Sequence, residues 1–297
     1  MMKEIVKAFA GILVMATMLS TGAAGTVYGL GATPGDAVSA PAVDPDFKPR
    51  LGTYFYKFDF NNMSLGTASI TISREGDLYR VQVNAQTNST VDRIYKIRYR
   101  GESLLDTEPT VASIKTKTTQ QVKSKGKDMT IQFQPDGVIK TVEKKSKDGE
   151  PVEFDVRKIH PDKFTVDPFA ATYLVRGLDW RVGSEHVFDV YGGKNPYELR
   201  LKCARTETID LGGVKRTTWV IVPTVKKLDE NGQVVPPKSK PAQTKIYLST
   251  DELKDVLKIE ASHTLGYFRV TLDRFVAGEN QVRETAGTPE APQNSSN

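Results

Sequence analysis

From residue 53 to residue 60 the even positions are Tyr54, Tyr56, Phe58 and Phe60, while Lys57 and Asp59 fall between them. A period of two marks a strand with one buried face. After the turn signal Asn61-Asn62 the alternation resumes over 65–72, where Gly66, Ala68, Ile70 and Ile72 share a face. Small side chains there make room for aromatic ones on the neighbouring strand. Tyr79, Val81, Val83 and Ala85 predict a third strand. Residues 92–105, with Tyr95, Ile97 and Tyr99 set against Lys96, Arg98 and Arg100, predict a fourth. Through 111–147 the pattern continues in a more polar key, with Ile114, Met129, Ile131, Phe133, Val138 and Val142 as its apolar positions. Pro135-Asp136-Gly137 reads as a hairpin turn within it.

One stretch breaks this period. Asp167 is a good N-cap, Pro168 suits the first helical position, and Gly177 stands where a helix commonly ends in a left-handed residue. Phe169 and Tyr173, four apart, share a face that Arg176 borders. The segment predicts a helix of two to three turns that covers a sheet. Strands then resume over 185–191, 196–208 (Tyr197, Leu199, Leu201 and Cys203 on one face), 216–226 (Trp219, Ile221, Val225), 245–248, 257–263 and 267–275. Residues 229–241 read as a polar, mobile excursion. No period of 20–50 residues repeats, which argues against solenoids and propellers. The outward positions carry Lys, Arg, Gln and Glu, which cannot face lipid, so a membrane barrel is rejected.

The ends of the chain read differently. Residues 1–25 run from a basic start (Lys3, Lys7) through the apolar stretch 8–19 to the small residues Thr21-Gly22-Ala23-Ala24-Gly25. That is the order of a cleaved secretory signal, and the apolar stretch is short of the roughly 20 residues of a membrane span. The sequence therefore divides into a signal peptide (1–25), a flexible linker (26–46), a single β-rich domain (47–276) and a disordered tail (277–297). The implied location is the periplasm of a Gram-negative envelope, with no membrane span after cleavage.

Charge and chemistry exclude more than they identify. The 297 residues carry a formal charge of +5, a mild bias and no nucleic-acid footprint. Dense lysines in 115–127 and 140–147 read as a solvated outer face, or as a weak patch for anionic envelope material such as phosphorylated glycolipid or acidic glycan. The single cysteine, Cys203, forbids an intramolecular disulfide and reads as a small buried hydrophobe. His160, His186 and His263 lie far apart, so neither a metal nor a cofactor is expected. No nucleophile elbow or phosphate loop is present, and Glu185-His186 reads as solvent-facing. Arg176 with Asp167 or Asp179 is the best polar cluster, either docking the helix or marking a cavity mouth for an anionic headgroup.

These residues resemble a bacterial family, domain of unknown function 3108, whose members are exported proteins of unknown activity. The pieces that carry the resemblance are the aromatic strand with Leu65-Gly66-Thr67-Ala68, Asp167-Pro168-Phe169 through Tyr173 and Arg176, and Tyr247-Leu248-Ser249-Thr250-Asp251 before a final strand pair. The sequence departs from the family pattern in lacking a proline within 254–258. The resemblance implies a mostly β fold, a curved antiparallel sheet or half-open β-barrel with one short helix packed on it, akin to the Lol lipoprotein carriers. It implies no activity.

Three functions fit. The first is a non-enzymatic structural or interaction module of the envelope, with another envelope protein as partner. The second is a carrier for a lipid or other amphipathic ligand, lined by Tyr54, Tyr56, Phe58, Phe60, Phe169 and Tyr173 with Arg176 near the opening. The third, an envelope glycan or lipid hydrolase, lacks any catalytic group that stands out.

Overall fold

The computed structural model describes residues 40–108, 110–229, 232–236, 242–263 and 266–278. The expected signal peptide, most of the linker, much of 229–241 and nearly all of the tail lie outside them. Among the described residues fifteen strands form one curved sheet: β1 (Gly52–Phe60), β2 (Met63–Glu75), β3 (Leu78–Thr87), β4 (Ile97–Asp106), β5 (Ala112–Val122), β6 (Lys125–Phe133), β7 (Ile139–Lys147) and β8 (Glu150–Ile159). The later strands are β9 (Thr165–Val166), β10 (Glu185–Tyr191), β11 (Pro196–Leu211), β12 (Val214–Lys227), β13 (Gln243–Ser249), β14 (Val256–His263) and β15 (Gly266–Ala277). Two helices accompany them, α1 (Ser89–Tyr95) and α2 (Pro168–Gly177).

The strand order is β8-β7-β6-β5-β4-β3-β2-β1-β15-β14-β13-β12-β11-β10-β9, so the first and last strands pair at the middle of the sheet. Every pairing is antiparallel except that of β9 with β10. Along β1 the aromatic and small positions meet as the pattern required, with Tyr54 opposite Ile70, Tyr56 opposite Ala68 and Phe58 opposite Gly66. A Cβ built on Gly66 would lie 2.1 Å from the Gln86 carbonyl oxygen, so this site admits no side chain.

The edge strands β8 and β9 are not paired with each other. Instead the β6–β8 end rolls over the outer side of β10. Phe188 and Val190 of β10 belong to the main core, whereas Tyr191 faces the other way and clusters with Ile131 of β6 and Ile139 of β7. The Tyr191 and Thr141 hydroxyls are 3.0 Å apart, and Arg157 of β8 donates to the Gly193 carbonyl at 2.7 Å. Gly193 has φ +95°, a conformation that favours glycine, and a Cβ there would press on Met129 Sδ at 2.2 Å.

Several expectations are corrected by the structure. The strand expected from residue 92 begins at Ile97; Ser89–Tyr95 is a helix because Asn88 caps it, accepting from the Val91 N–H at 2.9 Å. Ile114 and Val142 are only half buried: a bulge beside Ile114 and the parity of β7 turn Ser113, Thr116, Ile139 and Thr141 inward instead. Gly177 is the last helical residue and has no left-handed φ, since the cap is Leu178 in extended conformation. Glycine is required there by packing, because a Cβ would lie 2.5 Å from Val43 Cγ1. Val43 itself bridges to Leu178, and Asp44 donates its N–H to the Gly177 carbonyl at 2.8 Å. The last residues of the segment read as linker are thus held to the end of α2.

The lysine-rich strands are not uniformly solvated either. Lys127, Lys145 and Arg157 surround Glu143, which is 3% exposed on the inner face of β7, at 2.6, 3.3 and 3.6 Å. Burial works to raise this carboxyl, and the three cations overcome it and hold it below its ordinary value. On β10, burial pushes the Asp189 carboxyl up to about 6, with Lys163 opposing and Glu198 adding to the rise. A folded-state value above the unfolded one means that stability is greatest below about pH 4 and is lost as pH rises through 6. Asp189→Asn is therefore expected to raise stability by about 1–3 kcal/mol at pH 7.5 and by little at pH 4. Urea unfolding at both pH values checks the sign.

Candidate functional site

The helix packs on the sheet as expected, on its inner face, and the sheet curves around it. Nine of its ten residues are buried, all but Thr172. A helix apolar on every side is stable only when enclosed, which explains why its aromatic face was only part of its contact surface. Its N-terminus is fixed by Asp167, whose Oδ1 accepts from the N–H groups of Phe169 and Ala170 at 2.6 and 3.3 Å. Ser103 of β4 donates to Asp167 Oδ2 at 2.9 Å, and the Asp167 N–H donates to Ser113 of β5 at 2.7 Å. Burial raises the Asp167 carboxyl, and these hydrogen bonds work against the rise.

Between α2 and the sheet lies a cavity of about 150 Å³. Tyr54, Tyr56 and Phe58 form one wall, Phe169, Tyr173 and Arg176 another, and Val190 and Leu201 of the later strands the far side. Phe60 is corrected: it is buried but does not line the cavity, because its ring packs on Phe268 at 4.7 Å. Tyr173 is wedged between Phe47 and Tyr79, with centroids at 5.5 and 5.8 Å, and burial pushes its hydroxyl up to about 12.

Arg176 is corrected in its partner. Neither Asp167 nor Asp179 meets it; Asp179 is exposed beside Arg181. The guanidinium is 5% exposed and binds Asp255 at 2.8 Å, the Tyr54 hydroxyl at 3.0 Å and the carbonyls of Leu253 and Lys254 at 2.9 and 3.0 Å. Asp255 also pairs with Arg50 and accepts from Tyr54 at 2.9 Å. The cluster ties helix, first strand and the turn after β13 together, which is the docking reading of Arg176. Asp255 was missed because it is 79 residues from Arg176 in sequence. The only trace of it was the turn Ser249-Thr250-Asp251, which holds it through the Ser249 hydroxyl accepting from the Asp255 N–H at 2.8 Å. Lys254 in that turn has φ +45°, which proline could not adopt, so the family's proline cannot stand at that position.

Other candidate groups stay apart. Cys203 is fully buried and desolvation pushes its thiol up, as for a packed hydrophobe. His186 packs on Trp180 at 4.9 Å with its Nε2 3.0 Å from the Asp179 carbonyl, Glu185 is exposed and pairs with Arg200, and His160 is exposed. Beside the Phe169 ring at Gly101, the Tyr99 hydroxyl is buried without a hydrogen-bond partner among the described residues. Tyr99→Phe is therefore expected to leave stability unchanged or raise it by about 1 kcal/mol, read by thermal unfolding.

No curated protein matches the sequence. Among solved structures, a beta-barrel-like protein of the domain of unknown function DUF1849 from Brucella abortus matches at 12% identity with a TM-score of 0.50, covering 77% of this chain and 99% of that one. A candidate lipoprotein from Parabacteroides distasonis ATCC 8503 matches at 11% identity with a TM-score of 0.30, covering 77% and 97%. The former agrees with the rolled, barrel-like sheet described above. The model of the family "Protein of unknown function (DUF3108)" matches residues 55–273, from the first aromatic strand to the last strand of the roll, and the chain belongs to that family.

Proposed function

We propose that the protein is an exported component of the cell envelope that works as a structural or interaction module without catalytic chemistry. The observation that carries the reading is the filled interior. The helix and the aromatic strand occupy the inside of the roll and leave about 150 Å³, half the roughly 300 Å³ at which ligand sites begin. Such an interior serves rigidity, and the long outer face of the sheet is left to meet partners. Export is supported by the charged, apolar, small order of residues 1–25. N-terminal sequencing of protein recovered from the periplasm tests it, with a new terminus near Ala24 or Gly25 expected; recovery with Met1 intact overturns it.

A second reading, a carrier of an apolar chain, is favoured by one observation. The cavity wall is almost wholly hydrocarbon, and Thr172, the part-exposed residue of the helix, lies on it. A dry cavity of this size holds a group no larger than a benzene ring. Native mass spectrometry and displacement of a fluorescent fatty acid separate the two readings. Co-purified lipid, or displacement at tens of micromolar, would replace the module reading by the carrier.

A further inference from the structure

The outer face of the sheet holds a larger recess than the interior. A groove of about 680 Å³ crosses β1 to β5 on the side away from the helix. The strand registers set two rows of side chains across it. One runs Lys57, Thr67, Gln86, Arg98, Gln121. The other runs Arg274, Phe55, Ser69, Asn84, Arg100, Thr119. At about 4.8 Å between strands, the first row, over five strands, is roughly 19 Å long and the second, over six, roughly 24 Å.

Nearly every position in these rows carries a hydrogen-bonding group. The side chains of Thr67, Ser69, Asn84, Gln86, Arg100 and Gln121 make no hydrogen bond or ion pair with other described residues. The cations outnumber the acids. Lys57 and Arg274 share Asp273, Arg98 pairs with Asp92 at 2.5 Å, Thr119 at the end of the second row donates to Asp128 at 2.7 Å, and Arg100 has no counter-ion among the described residues. Arg274 Cζ stands over the Phe55 ring at 4.1 Å, so the one aromatic of the two rows already carries a cation on its face, where a base would stack. The groove lies in mid-sheet, where the main-chain groups are paired, so a peptide cannot add to it as a strand. Beyond β5, in line with Lys115 and not with the groove rows, Lys140 and Lys158 stand directly opposed, with no acidic partner among the described residues.

We propose that this groove binds an acidic glycan: its amides and hydroxyls meet sugar hydroxyls, and Arg100 takes a carboxylate in a two-bond fork. The inference names a ligand class for the interaction module and rests on that reading for its setting. Its test uses purified full chain, so it can fail while N-terminal sequencing succeeds.

The probes are polygalacturonate, neutral dextran and poly-L-glutamate, titrated by calorimetry. Polygalacturonate is expected to bind, with dextran and polyglutamate at least about tenfold weaker. The double variant Asn84→Ala/Arg100→Gln is expected to weaken polygalacturonate about tenfold or more, since hydrogen bonds to a charged group are lost. Its melting temperature should match wild type, because neither side chain has an internal partner. Lys140→Gln/Lys158→Gln should change binding less than about threefold. Absence of polygalacturonate binding, equal binding of polyglutamate, or an equal loss in the lysine variant would each overturn the proposal, the last two by reducing it to a general polyanion field.

Discussion

Phe169→Ala is expected to lower the unfolding free energy by about 3–5 kcal/mol, the range for truncating a large core aromatic. The ring is 2% exposed and sits over Gly101 of β4, where a Cβ would lie 2.5 Å from its Cζ. Strand and helix are therefore shaped around each other at this point. The ring also walls the existing cavity, so its loss joins a new void to one of about 150 Å³. Each cubic ångström of residual cavity costs roughly 24 cal/mol, which places the variant toward the upper end of the range. Urea unfolding followed by tyrosine and tryptophan fluorescence measures it. A midpoint equal to wild type would show that the helix is not packed as described. Gly101→Ala probes the same contact from the other side and should cost about 1–3 kcal/mol by overpacking.

Arg176→Met is expected to cost a comparable 3–5 kcal/mol for a different reason. Methionine preserves much of the stem's volume against Phe47 and Tyr54, whose rings lie 5.7 and 5.2 Å from the guanidinium. What is lost is the charge. Asp255, 4% exposed, would keep only Arg50 and the Tyr54 hydroxyl, and the carbonyls of Leu253 and Lys254 would lose their donor. Removing one partner of a buried pair is costly because the other is left desolvated and uncompensated. The discriminating measurement is a double-mutant cycle with Asp255→Leu. The two losses should be strongly non-additive, the double variant being no worse than the poorer single one. Simple additivity would mean that the pair is not the joint between helix, first strand and final strands.

Much of this architecture was written locally. The period-two aromatics of β1, the small residues of β2, the Asn61-Asn62 turn (φ 46° and 65°) and the Asp167-Pro168 helix start are all signals carried within a few residues, and each appears where the pattern placed it. Hydrophobic alternation states which face of a strand is buried because side chains alternate by geometry alone. It does not state what covers that face. Only the tertiary roll decided that α2 lies enclosed by the sheet, that Phe60 turns from the cavity to Phe268, and that Asp255, not Asp167 or Asp179, receives Arg176. The same holds for Glu143, an ordinary polar position in sequence until β7 is laid over the far end of the sheet and three cations close around it. Glycine tells the same story at Gly177: its identity is plain in the sequence, but the reason for it is Val43, from a distant segment, occupying the space of a Cβ. Local propensity fixes the elements through short-range sterics and hydrogen bonding, whereas ion pairs, cavities and grooves depend on register between segments tens to hundreds of residues apart.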